Sequence, residues 1–595
     1  MTGAIDDAMI AAHAPLDRHV PEQLAPALPL PYRRVHPAMR IVVVTIAGIA
    51  ATACAIAAFA RVTPPSALIG WIVLVPWLAA LDRLHSVRGA LAAGMSMSAG
   101  FAIAVFPWFP QLIVDYTGAP WVAGAVVLLM LAPVLEPQFV TFALARHLAQ
   151  RAPDGTRWWQ SALVGAGVYV GTEWAWPKLL ADTLGHGLHA SASLRQAADV
   201  AGAHGLTFAL IVGNECVLAA LRATPLARSP AGSMDGRGWM RRIAAPVSGL
   251  ALLLASLVGY GSIRLRQLER DPTGKQVRVA MIQANVAHYD RLKAELGTFE
   301  AVRQILETHF ALSAEALERH KPDILVWPET VYPTTFGTPK SPEGAGFDRA
   351  IARFVADRDV PLVFGAYVAE DAKEFNAAIL LAPTADGPLV ADEYRKTRLF
   401  PFTERLPRGL ASERVRRWMP WAGTWTPGSG PQVLTVDVAG GRGVRIAPLI
   451  CYDAVDPDFV IAAVRQGAQL LLTLSNDSWF AFPGVQRLIL IVSAFRSIET
   501  RRPQLRATPT GVSAVIDASG ALLATLDTDQ RAILAGTVWL ADTAETLMLA
   551  WGNWLPPAAS IVAFVLLLAA YRRRPSGTHT DWPAAHGSRH RQRRA

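Results

Sequence analysis

The sequence predicts an α-helical polytopic membrane domain joined to a polar domain of the α/β class. Its composition is 52% hydrophobic and only 17% charged, whereas a soluble domain carries about 25% charged residues. Apolar runs of the length that crosses a bilayer, about 20 residues, recur between positions 41 and 260. A long polar insert and one last apolar run follow. Part of the chain is therefore expected in lipid and part in water.

About eight apolar runs are interpreted as membrane spans. They lie at residues 41–60, 66–81, 89–114, 120–145, 160–176, 198–221, 243–260 and 553–571. The domains that follow from this pattern are a polar N-terminal tail at 1–36, a transmembrane domain at 37–262, a polar domain at 271–545, an eighth span at 547–574 and a basic, disordered tail at 575–595.

Arginines in alternate loops predict the orientation, because cytoplasmic loops carry an excess of basic residues. The basic loops contain Arg33, Arg34, Arg40, Arg83, Arg88, Arg146, Arg151, Arg157, Arg222, Arg228, Arg237, Arg241 and Arg242. An even number of spans then places both tails in the cytoplasm and the polar insert outside it. The net charge of +9 is accounted for by these clusters and the tail, so we do not expect nucleic acid as a partner.

The polar insert alternates short β-rich runs with helical patterns. The β-rich runs are Gln276–Val286, Asp323–Trp327, Pro361–Val368, Ala377–Leu381, Val444–Cys451, Gln469–Leu474 and Gly511–Ile516. Amphipathic stretches occur at 299–319, 345–357, 456–467 and 485–500. This alternation indicates a sheet whose faces are covered by helices.

Three polar residues stand at or just beyond the ends of apolar β-like runs. They are Glu329 in "DILVWPET", Lys396 in "EYRKTRLFPFTE" and Cys451 in "IAPLICYD". Ligands of α/β sheets gather outside the carboxyl ends of the strands. A thiolate is a strong nucleophile, a carboxylate can take the thiol proton, and an ammonium can stabilise an oxyanion. Taken singly, each residue is more often a packing residue or a surface charge than a catalytic group.

The cysteine usage argues against a disulfide scaffold and against a cysteine metal site. Cys54 and Cys216 lie inside apolar runs, where a cysteine is usually a small packing residue. Cys451 has no second cysteine in the polar domain. We expect no metal and no cofactor.

The order "WPE", "YRK" and "CYD" resembles the nitrilase, or carbon–nitrogen hydrolase, superfamily. With seven spans before this domain and one after it, the chain resembles the bacterial apolipoprotein N-acyltransferase family from about residue 40 to 571. The segments "VWPET", "FPFTERLP", "PLICYD", "SNDSWF" and "RATPTGVSAVID" occur in the family's order. The resemblance implies a nitrilase-like αββα sandwich in which Cys451 is the nucleophile, Glu329 the general base and Lys396 the oxyanion stabiliser.

The resemblance also implies supporting residues, substrates and a location. Glu404 matches a second glutamate, and Tyr452 and Asp453 match the positions after the nucleophile. The expected wall positions are Asn376, Asn476 and Trp479. Family members move an acyl chain from a phospholipid to the cysteine, and then to the amine of a diacylglyceryl-cysteine apolipoprotein. They do so at the periplasmic face of the bacterial inner membrane. We expect a monomer that acts without cofactor or metal.

Five positions depart from the family pattern. Asp453 replaces glutamate, Leu292 lies where a tryptophan is usual, and Thr403 replaces a glycine. Arg487 replaces a histidine, and Pro509 replaces an asparagine. These departures leave open a membrane-anchored amidase or an acyltransferase for another amine. A silent scaffold homologue and a transporter are weaker alternatives, the first because the three reactive residues are all present and the second because of the large polar insert.

Several further features bear on these alternatives. Segment 405–430 combines tryptophans and arginines, which predicts a lid facing the lipid headgroups or, in a simpler interpretation, a solvated loop. His186 and His189 are interpreted as packing residues. Ionisable residues near the spans are functional candidates. Those found here are Glu136, Glu173, Asp199 and Glu215, and the sequence shows no evident basic partner for them within the spans.

Overall fold

The structure is a computed structural model. It describes residues 37–152, 157–224, 236–270, 275–286, 289–383, 389–438, 442–479, 482–540 and 545–572. The predicted tails at 1–36 and 575–595 lie outside the described residues.

The N-terminal half of the described chain is helical. Its helices are α1 Pro37–Phe59, α2 Ser66–Ile69, α3 Val75–Leu81, α4 Val87–Val105, α5 Phe109–Thr117, α6 Trp121–Leu135, α7 Gln138–Gln150, α8 Trp158–Ala175, α9 Ala192–Arg195, α10 Ala198–Ala223 and α11 Gly236–Arg270. Over the described ranges, including the C-terminal helix, five helices are long and apolar enough to cross a membrane, or six if the bent pair α6–α7 counts as one. The eight spans remain a prediction.

Residues 66–81 do not form the single helix expected of a span, because the chain breaks between α2 and α3. The side chain of Asn214 on α10 forms hydrogen bonds with backbone groups that this break leaves without helical partners. Its Oδ1 accepts from the N–H of Leu74 at 2.7 Å, and its Nδ2 donates to the carbonyl of Gly70 at 2.8 Å. Irregular backbone at membrane depth persists only where such partners exist. Helices α6 and α7 meet at a 49° bend, where Ser98 Oγ donates to the carbonyl of Glu136 at 2.7 Å.

The four carboxylates near the spans form ion pairs in the structure, with basic residues that lie just outside the predicted span bounds or in the polar domain. Except for Lys178, which follows Glu173 closely in the sequence, the partners come from distant parts of the chain, where neither spacing nor composition indicates them. The ion pairs are Glu136–Lys178 at 3.0 Å, Glu173–Lys178 at 3.3 Å, Glu215–Arg146 at 2.5 Å, and Asp199 with both Arg264 and Arg501 at 2.7 Å.

The polar domain contains thirteen strands in its described residues. They are β1 Gln276–Gln283, β2 Ile324–Val326, β3 Tyr332–Thr335, β4 Leu362–Glu370, β5 Lys373–Ala382, β6 Leu389–Arg395, β7 Leu434–Val438, β8 Arg442–Ile450, β9 Leu470–Leu474, β10 Gln504–Ala507, β11 Ser513–Ile516, β12 Leu522–Leu526 and β13 Ala532–Trp539. The helices are α12 Tyr289–Leu296, α13 Thr298–His320, α14 Pro342–Arg358, α15 Glu413–Trp418, α16 Pro457–Arg465, α17 Pro483–Thr500, α18 Leu547–Trp551 and the C-terminal α19 Leu555–Arg572.

These strands form two sheets that pack face to face. One has the order β13-β1-β2-β4-β5-β6, with β3 beside β4, and the other has the order β12-β11-β10-β9-β8-β7. Buried aliphatic residues of both sheets, such as Val279, Val363, Leu449 and Leu472, share one core. Helices α13 and α14 cover the first sheet, while α16 and α17 lie against the second. The α/β layering predicted from the sequence is confirmed.

Helix α17 joins the two halves of the molecule. The stretch 485–500 was expected to be amphipathic, yet every residue from Ile489 to Thr500 is buried. One side packs on the second sheet, and the other belongs to the core of the membrane helices. A helix covered on both sides has no solvent face. Just after it, the fully buried Arg501 donates to Asp199 of α10 at 2.7 Å. His186 packs against Phe495 of α17 with ring centroids 4.7 Å apart, as expected of a packing residue.

Candidate active site

Strand ends bring the three predicted reactive residues to one edge of the sandwich. Glu329 follows the parallel strand β2, Cys451 follows β8 directly, and Lys396 follows β6 directly. The turn before Glu329 is held by Trp327, a fully buried indole that donates to Ser313 Oγ at 2.9 Å. Strands β2 and β6 of the first sheet and strand β8 of the second thus end at the same place, as the strand-end pattern predicted.

Lys396 is the centre of a buried charged cluster. Its Nζ lies 3.1 Å from Glu329 Oε1 and 2.8 Å from Glu404 Oε1. The lysine is 2% exposed, so water screens these contacts little. Glu404 is fixed in turn, because its Oε2 accepts from the N–H of Phe400 at 2.6 Å. The two carboxylates therefore hold the ammonium in one position.

Both oxygens of Glu329 are oriented by further donors. Asn376 Nδ2 donates to Oε1 at 2.7 Å, and the backbone N–H of Asn476 donates to Oε2 at 2.7 Å. Asn376 lies on β5, and its carbonyl accepts from the N–H of Lys396 at 2.8 Å. The predicted support positions Asn376 and Asn476 thus lie in direct contact with the predicted base.

The backbone at the nucleophile is strained. Cys451 has φ +49°, a left-handed conformation that costs a non-glycine residue free energy and is often found at functional sites. Asp453, fully buried two residues later, holds this turn. Its carboxylate accepts from Tyr394 Oη at 2.8 Å and from the N–H groups of Ile450 at 2.9 Å and Arg398 at 2.7 Å. The shorter carboxylate therefore reaches three donors, and its departure from the family pattern leaves the turn supported.

Burial controls the protonation of the site. Removal from water raises the pKa of the Cys451 thiol to about 12, with the negative charge of Glu329 adding to the rise and Lys396 opposing it. Burial also raises the pKa of Glu329 above its ordinary value, although Lys396 opposes this. The two carboxylates keep the pKa of Lys396 well above its ordinary value despite burial. At neutral pH the site therefore holds a neutral thiol beside a lysine cation.

A glycine permits the close approach of β4 to the turn that carries Glu329. A Cβ at Gly365 would lie 2.5 Å from the N atom of Thr330 and 2.6 Å from the Cα of Glu329. Thr330 itself has φ +59°, which is strained for a β-branched residue. The position of the Glu329 backbone thus depends on the absence of a Cβ atom at Gly365 of strand β4.

Sequence reasoning missed the buried pair Asp477–Arg506 behind the nucleophile. Arg506 Nη2 lies 2.8 Å from Asp477 Oδ2, and both side chains are at most 1% exposed. The charge of Asp477 is close enough to raise the pKa of Cys451. The segment "SNDSWF" was recognised as a motif, and the aspartate beside Asn476 was the available signal.

The remaining predicted positions lie around this centre. Tyr452 packs edge-on against Phe400, with centroids 5.2 Å apart, and its Oη donates to the carbonyl of Lys178 at 3.2 Å. The side chain of Trp479 lies outside the described residues. In segment 405–430, Trp418 is 78% exposed, whereas Trp425 packs on Tyr367 with centroids 4.5 Å apart.

Of the other departures from the family pattern, Thr403 adjoins Glu404 of the charged centre. Leu292 packs on the outer face of the first sheet, and Arg487 is exposed. The carbonyl of Thr403 accepts from the N–H of Gly423, and that of Pro509 from the N–H of Asn285. Across the described residues, no group of three or more His, Cys, Asp or Glu could hold a metal ion.

A thiol on a strained turn, a carboxylate that can take its proton and a lysine cation together suit attack on a carbonyl carbon. The same arrangement serves acyl transfer to water or to an amine. The difference depends on which acceptor reaches the acylated thiol.

Comparisons with known proteins match both halves of the chain. The family model of carbon–nitrogen hydrolases matches residues 278–547. The model of the apolipoprotein N-acyltransferase N-terminal domain matches residues 51–216. Among solved structures, the amidase from Nesterenkonia sp. is 21% identical, covering 46% of this chain and 93% of its own, with a TM-score of 0.31. The nitrilase-superfamily member Nit3 of Saccharomyces cerevisiae is 18% identical, covering 44% and 90%, with a TM-score of 0.33.

Relatives of known function match nearly end to end. The apolipoprotein N-acyltransferase of Geobacter metallireducens is 28% identical over 86% of this chain and 92% of its own. That of Chlorobaculum tepidum is 27% identical over 85% and 92%, and that of Gloeobacter violaceus 26% over 90% and 95%. With both domains matched in order, and with relatives of one name along most of its length, this chain belongs to the apolipoprotein N-acyltransferase family.

Proposed function

We propose that this enzyme transfers an acyl chain from a membrane phospholipid, through a thioester on Cys451, to the N-terminal amine of a diacylglyceryl-cysteine apolipoprotein. The observation that carries the proposal is the Lys396–Glu329 ion pair at 3.1 Å, set where the strand that ends at Cys451 meets the membrane helices. Tyr452, the next residue, contacts the loop after α8. Both substrates are lipids, so the nucleophile has to be presented at the bilayer surface.

In the first half-reaction, Glu329 takes the proton of the Cys451 thiol as Sγ attacks the ester carbonyl carbon of the phospholipid. Negative charge develops on the carbonyl oxygen, and the Lys396 cation stabilises it. The carbon–oxygen bond to glycerol then breaks, and Glu329 returns the proton to the leaving oxygen. A lysophospholipid departs, and the acyl chain remains on Cys451 as a thioester.

In the second half-reaction, the amine of the apolipoprotein attacks the thioester carbonyl. Glu329 takes a proton from the amine and delivers it to the sulfur as the carbon–sulfur bond breaks. The thiol is regenerated and an amide forms, so the cycle balances without a cofactor. The raised pKa of the thiol favours this last protonation.

The membrane arrangement is part of the proposal. Eight spans would place both tails in the cytoplasm and the polar domain at the periplasmic face of the bacterial inner membrane, where the enzyme would work as a monomer. The five to six apolar helices among the described residues and the basic alternate loops support this arrangement.

Segment 405–430 would act as a lid that touches lipid headgroups. Trp418 at 78% exposed and Leu410 at 45% exposed offer apolar surface, and arginines surround them. Trp425 and Gly428 form the fixed end of this segment, since the N–H of Gly428 donates to the carbonyl of Lys396 at 2.8 Å. Movement of the lid would therefore begin next to the catalytic lysine.

Mass spectrometry of Cys451 tests the proposal. The purified full-length protein is incubated with phospholipid vesicles, and the intact mass is measured with and without hydroxylamine, which cleaves thioesters. A labile acyl adduct that is absent from Cys451→Ala, and that disappears when a diacylated lipopeptide is added, supports acyl transfer. An amide hydrolysed without any adduct from phospholipid would favour the amidase alternative and overturn the proposal.

A further inference from the structure

A cavity lined by charged and apolar residues lies between the membrane helices and the polar domain, next to the active site. It has a volume of about 410 Å³. Its wall combines residues of the loop after α8, of α10, of α17 and of the turn that begins at the nucleophile, including Tyr452. Consecutive Cα atoms are about 3.8 Å apart, so this wall begins one residue from Cys451. The indoles of Trp174 and Trp176, each 45% exposed, lie at its edge and suit the headgroup zone of a bilayer.

The cavity wall is formally acidic. It contains five carboxylates, from Glu173, Asp182, Asp456, Asp458 and Glu499, against three cations, from Lys178, Arg398 and Arg496. Burial keeps the pKa of His186, another wall residue, well below its ordinary value. That imidazole is therefore neutral and does not offset the excess of negative charge.

The cations of the wall already have carboxylate partners. Lys178 lies 3.0 Å from Glu136, Arg398 lies 2.7 Å from Asp456, and Arg496 lies 2.9 Å from Glu499. A phosphate or carboxylate ligand would have to compete with these ion pairs. The wall is therefore poorly suited to an anion as its main ligand.

Several acceptors of the wall have no hydrogen-bond partner in the described structure. They are Asp182 Oδ1, whose ion-pair partner Lys178 Nζ lies 3.6 Å away, Glu499 Oε2 and Asn553 Oδ1. Two donors of the wall are also without a hydrogen-bond partner, Arg496 Nε and the Nε2–H of His186, whose Nδ1 accepts from the N–H of Thr183. The three acceptor-bearing residues are each at most 8% exposed. Buried polar groups are normally satisfied, and an unsatisfied buried carboxylate oxygen is costly. Together with the excess of carboxylates, these unpaired acceptors favour a ligand that carries several hydrogen-bond donors and a positive charge.

We propose that this cavity binds the primary ammonium group of a substrate, with Glu499 and Asp182 as its anionic partners and Asn553 Oδ1 as a neutral acceptor. An ammonium offers three N–H donors and one positive charge, which matches the excess of acceptors and carboxylates. The inference rests on the proposed function. Two groups in that reaction carry such a cation, namely the ethanolamine headgroup of a phospholipid and the protonated N-terminus of the lipopeptide acceptor.

The donor arm of the test measures thioester formation on Cys451 in the full-length protein. Vesicles of phosphatidylethanolamine and of phosphatidylglycerol with identical acyl chains serve as donors, and KM is measured for each. If the headgroup occupies the cavity, the wild type favours the ethanolamine lipid. Glu499→Gln and Asp182→Asn should then reduce that preference at least fivefold. Glu499→Gln keeps Oε1, which accepts from Arg496 and from the N–H of Ala203, so the local packing is retained.

The acceptor arm measures the binding of lipopeptides to the Cys451→Ala variant, which lacks the nucleophile and therefore cannot acylate them. A diacylated lipopeptide with a free N-terminus is compared with its N-acetylated form. If the acceptor occupies the cavity, Glu499→Gln reduces the preference for the free amine at least fivefold and leaves the donor preference in place. Glu307→Gln is the matched control, because Glu307 is a carboxylate on α13 that is 60% exposed and does not line the cavity; it should change neither preference more than twofold.

The outcomes separate this inference from the proposed function. If no donor forms a thioester, the proposed function itself fails. If thioesters form but neither preference exists, or if Glu499→Gln and Asp182→Asn alter neither, the cavity holds only water and the inference is wrong. Should Glu499→Gln unfold, as judged by thermal denaturation, Asp182→Asn and Asn553→Leu decide between these outcomes.

Discussion

Two buried lysines in this molecule lie at similar distances from carboxylates, but only one of them lies beside a thiol. Lys396 lies 2.8 and 3.1 Å from two carboxylates, and Lys178 lies 3.0 and 3.3 Å from two others, with Asp182 at 3.6 Å. Their side chains are 2% and 6% exposed. Only the first cluster faces a thiol on a strained turn and a carboxylate held by a backbone N–H. A buried lysine–carboxylate cluster is therefore not by itself a catalytic site.

The hydrogen-bond donors to the carboxylates also differ between the two lysine clusters. Glu329 accepts from Asn476 N–H and Asn376, both placed at or near strand ends. Glu173 and Glu136 accept from side chains of the membrane helices and loops, Thr183 at 2.6 Å and Gln138 at 2.5 Å. The first arrangement fixes a base beside a nucleophile, while the second balances charge in the helical domain.

The largest expected effect comes from removing one carboxylate charge from the Lys396 cluster, compared with the same change in the Lys178 cluster. Glu329→Gln should slow thioester formation between about 10² and 10⁴-fold, because a general base contributes that much. Glu136→Gln, the matched change beside Lys178, should slow it less than threefold. Single-turnover acylation, followed by intact mass, measures both. Equal losses in the two variants would show that the clusters are not functionally distinct.

Lys178→Met should lower the stability of the folded protein. The change leaves Glu136, Glu173 and Asp182 without their cation, and breaking a buried ion pair costs about 3–5 kcal/mol. Thermal unfolding in detergent, compared with Lys340→Met at an exposed ion pair, measures the difference. A melting temperature equal to that of the exposed control would contradict a structural role for the Lys178 cluster.

Asp453→Asn should weaken the turn that carries the nucleophile. An amide offers one acceptor oxygen where three donors now converge, and each unsatisfied buried donor costs about 1–3 kcal/mol. We expect a lower melting temperature together with slower acylation. Asp437→Asn, an aspartate on β7 of the same sheet, serves as the control. Unchanged acylation in Asp453→Asn would show that the turn does not depend on this carboxylate.

The smallest expected effect is the acid limb of the pH profile. Glu329 acts as a base only when it is ionised, and its pKa lies above the ordinary value because of burial. The rate of thioester formation should therefore fall tenfold per pH unit below that pKa. It should not fall at moderately alkaline pH, because the pKa of Lys396 is raised and the lysine stays charged. A midpoint at or below the ordinary glutamate pKa would contradict this assignment.

Local patterns made much of the site predictable. Apolar runs that end in Glu329 and Cys451 gave the strand ends, and the motif around Lys396 gave the third residue. The supports Asn376, Asn476 and Glu404 also lie where the family resemblance placed them. The Asp477–Arg506 pair was missed, because a buried ion pair between the turn after β9 and the adjacent strand β10 leaves no periodic signal.

The sequence misled where contacts are distant along the chain. Residues 66–81 have the hydropathy of a span, yet Asn214 lets them break into two helices. The stretch 485–500 looked amphipathic because its polar residues bond to partners in the other domain or in neighbouring strands. Ser493, for example, accepts from Gln504 at 2.6 Å.

The amino-acid sequence by itself determined the division into apolar helices and an α/β domain, because hydrophobic periodicity is a local property. It also predicted Glu329, Lys396 and Cys451 as the candidate reactive residues, which the structure brings together. The tertiary structure alone decided which charges meet, including Arg501 with Asp199 and Lys178 with Glu136. It also decided that an acceptor-rich cavity begins beside Tyr452. Such contacts depend on how the two domains pack. The positions of these residues along the chain do not show which of them become neighbours in the folded protein.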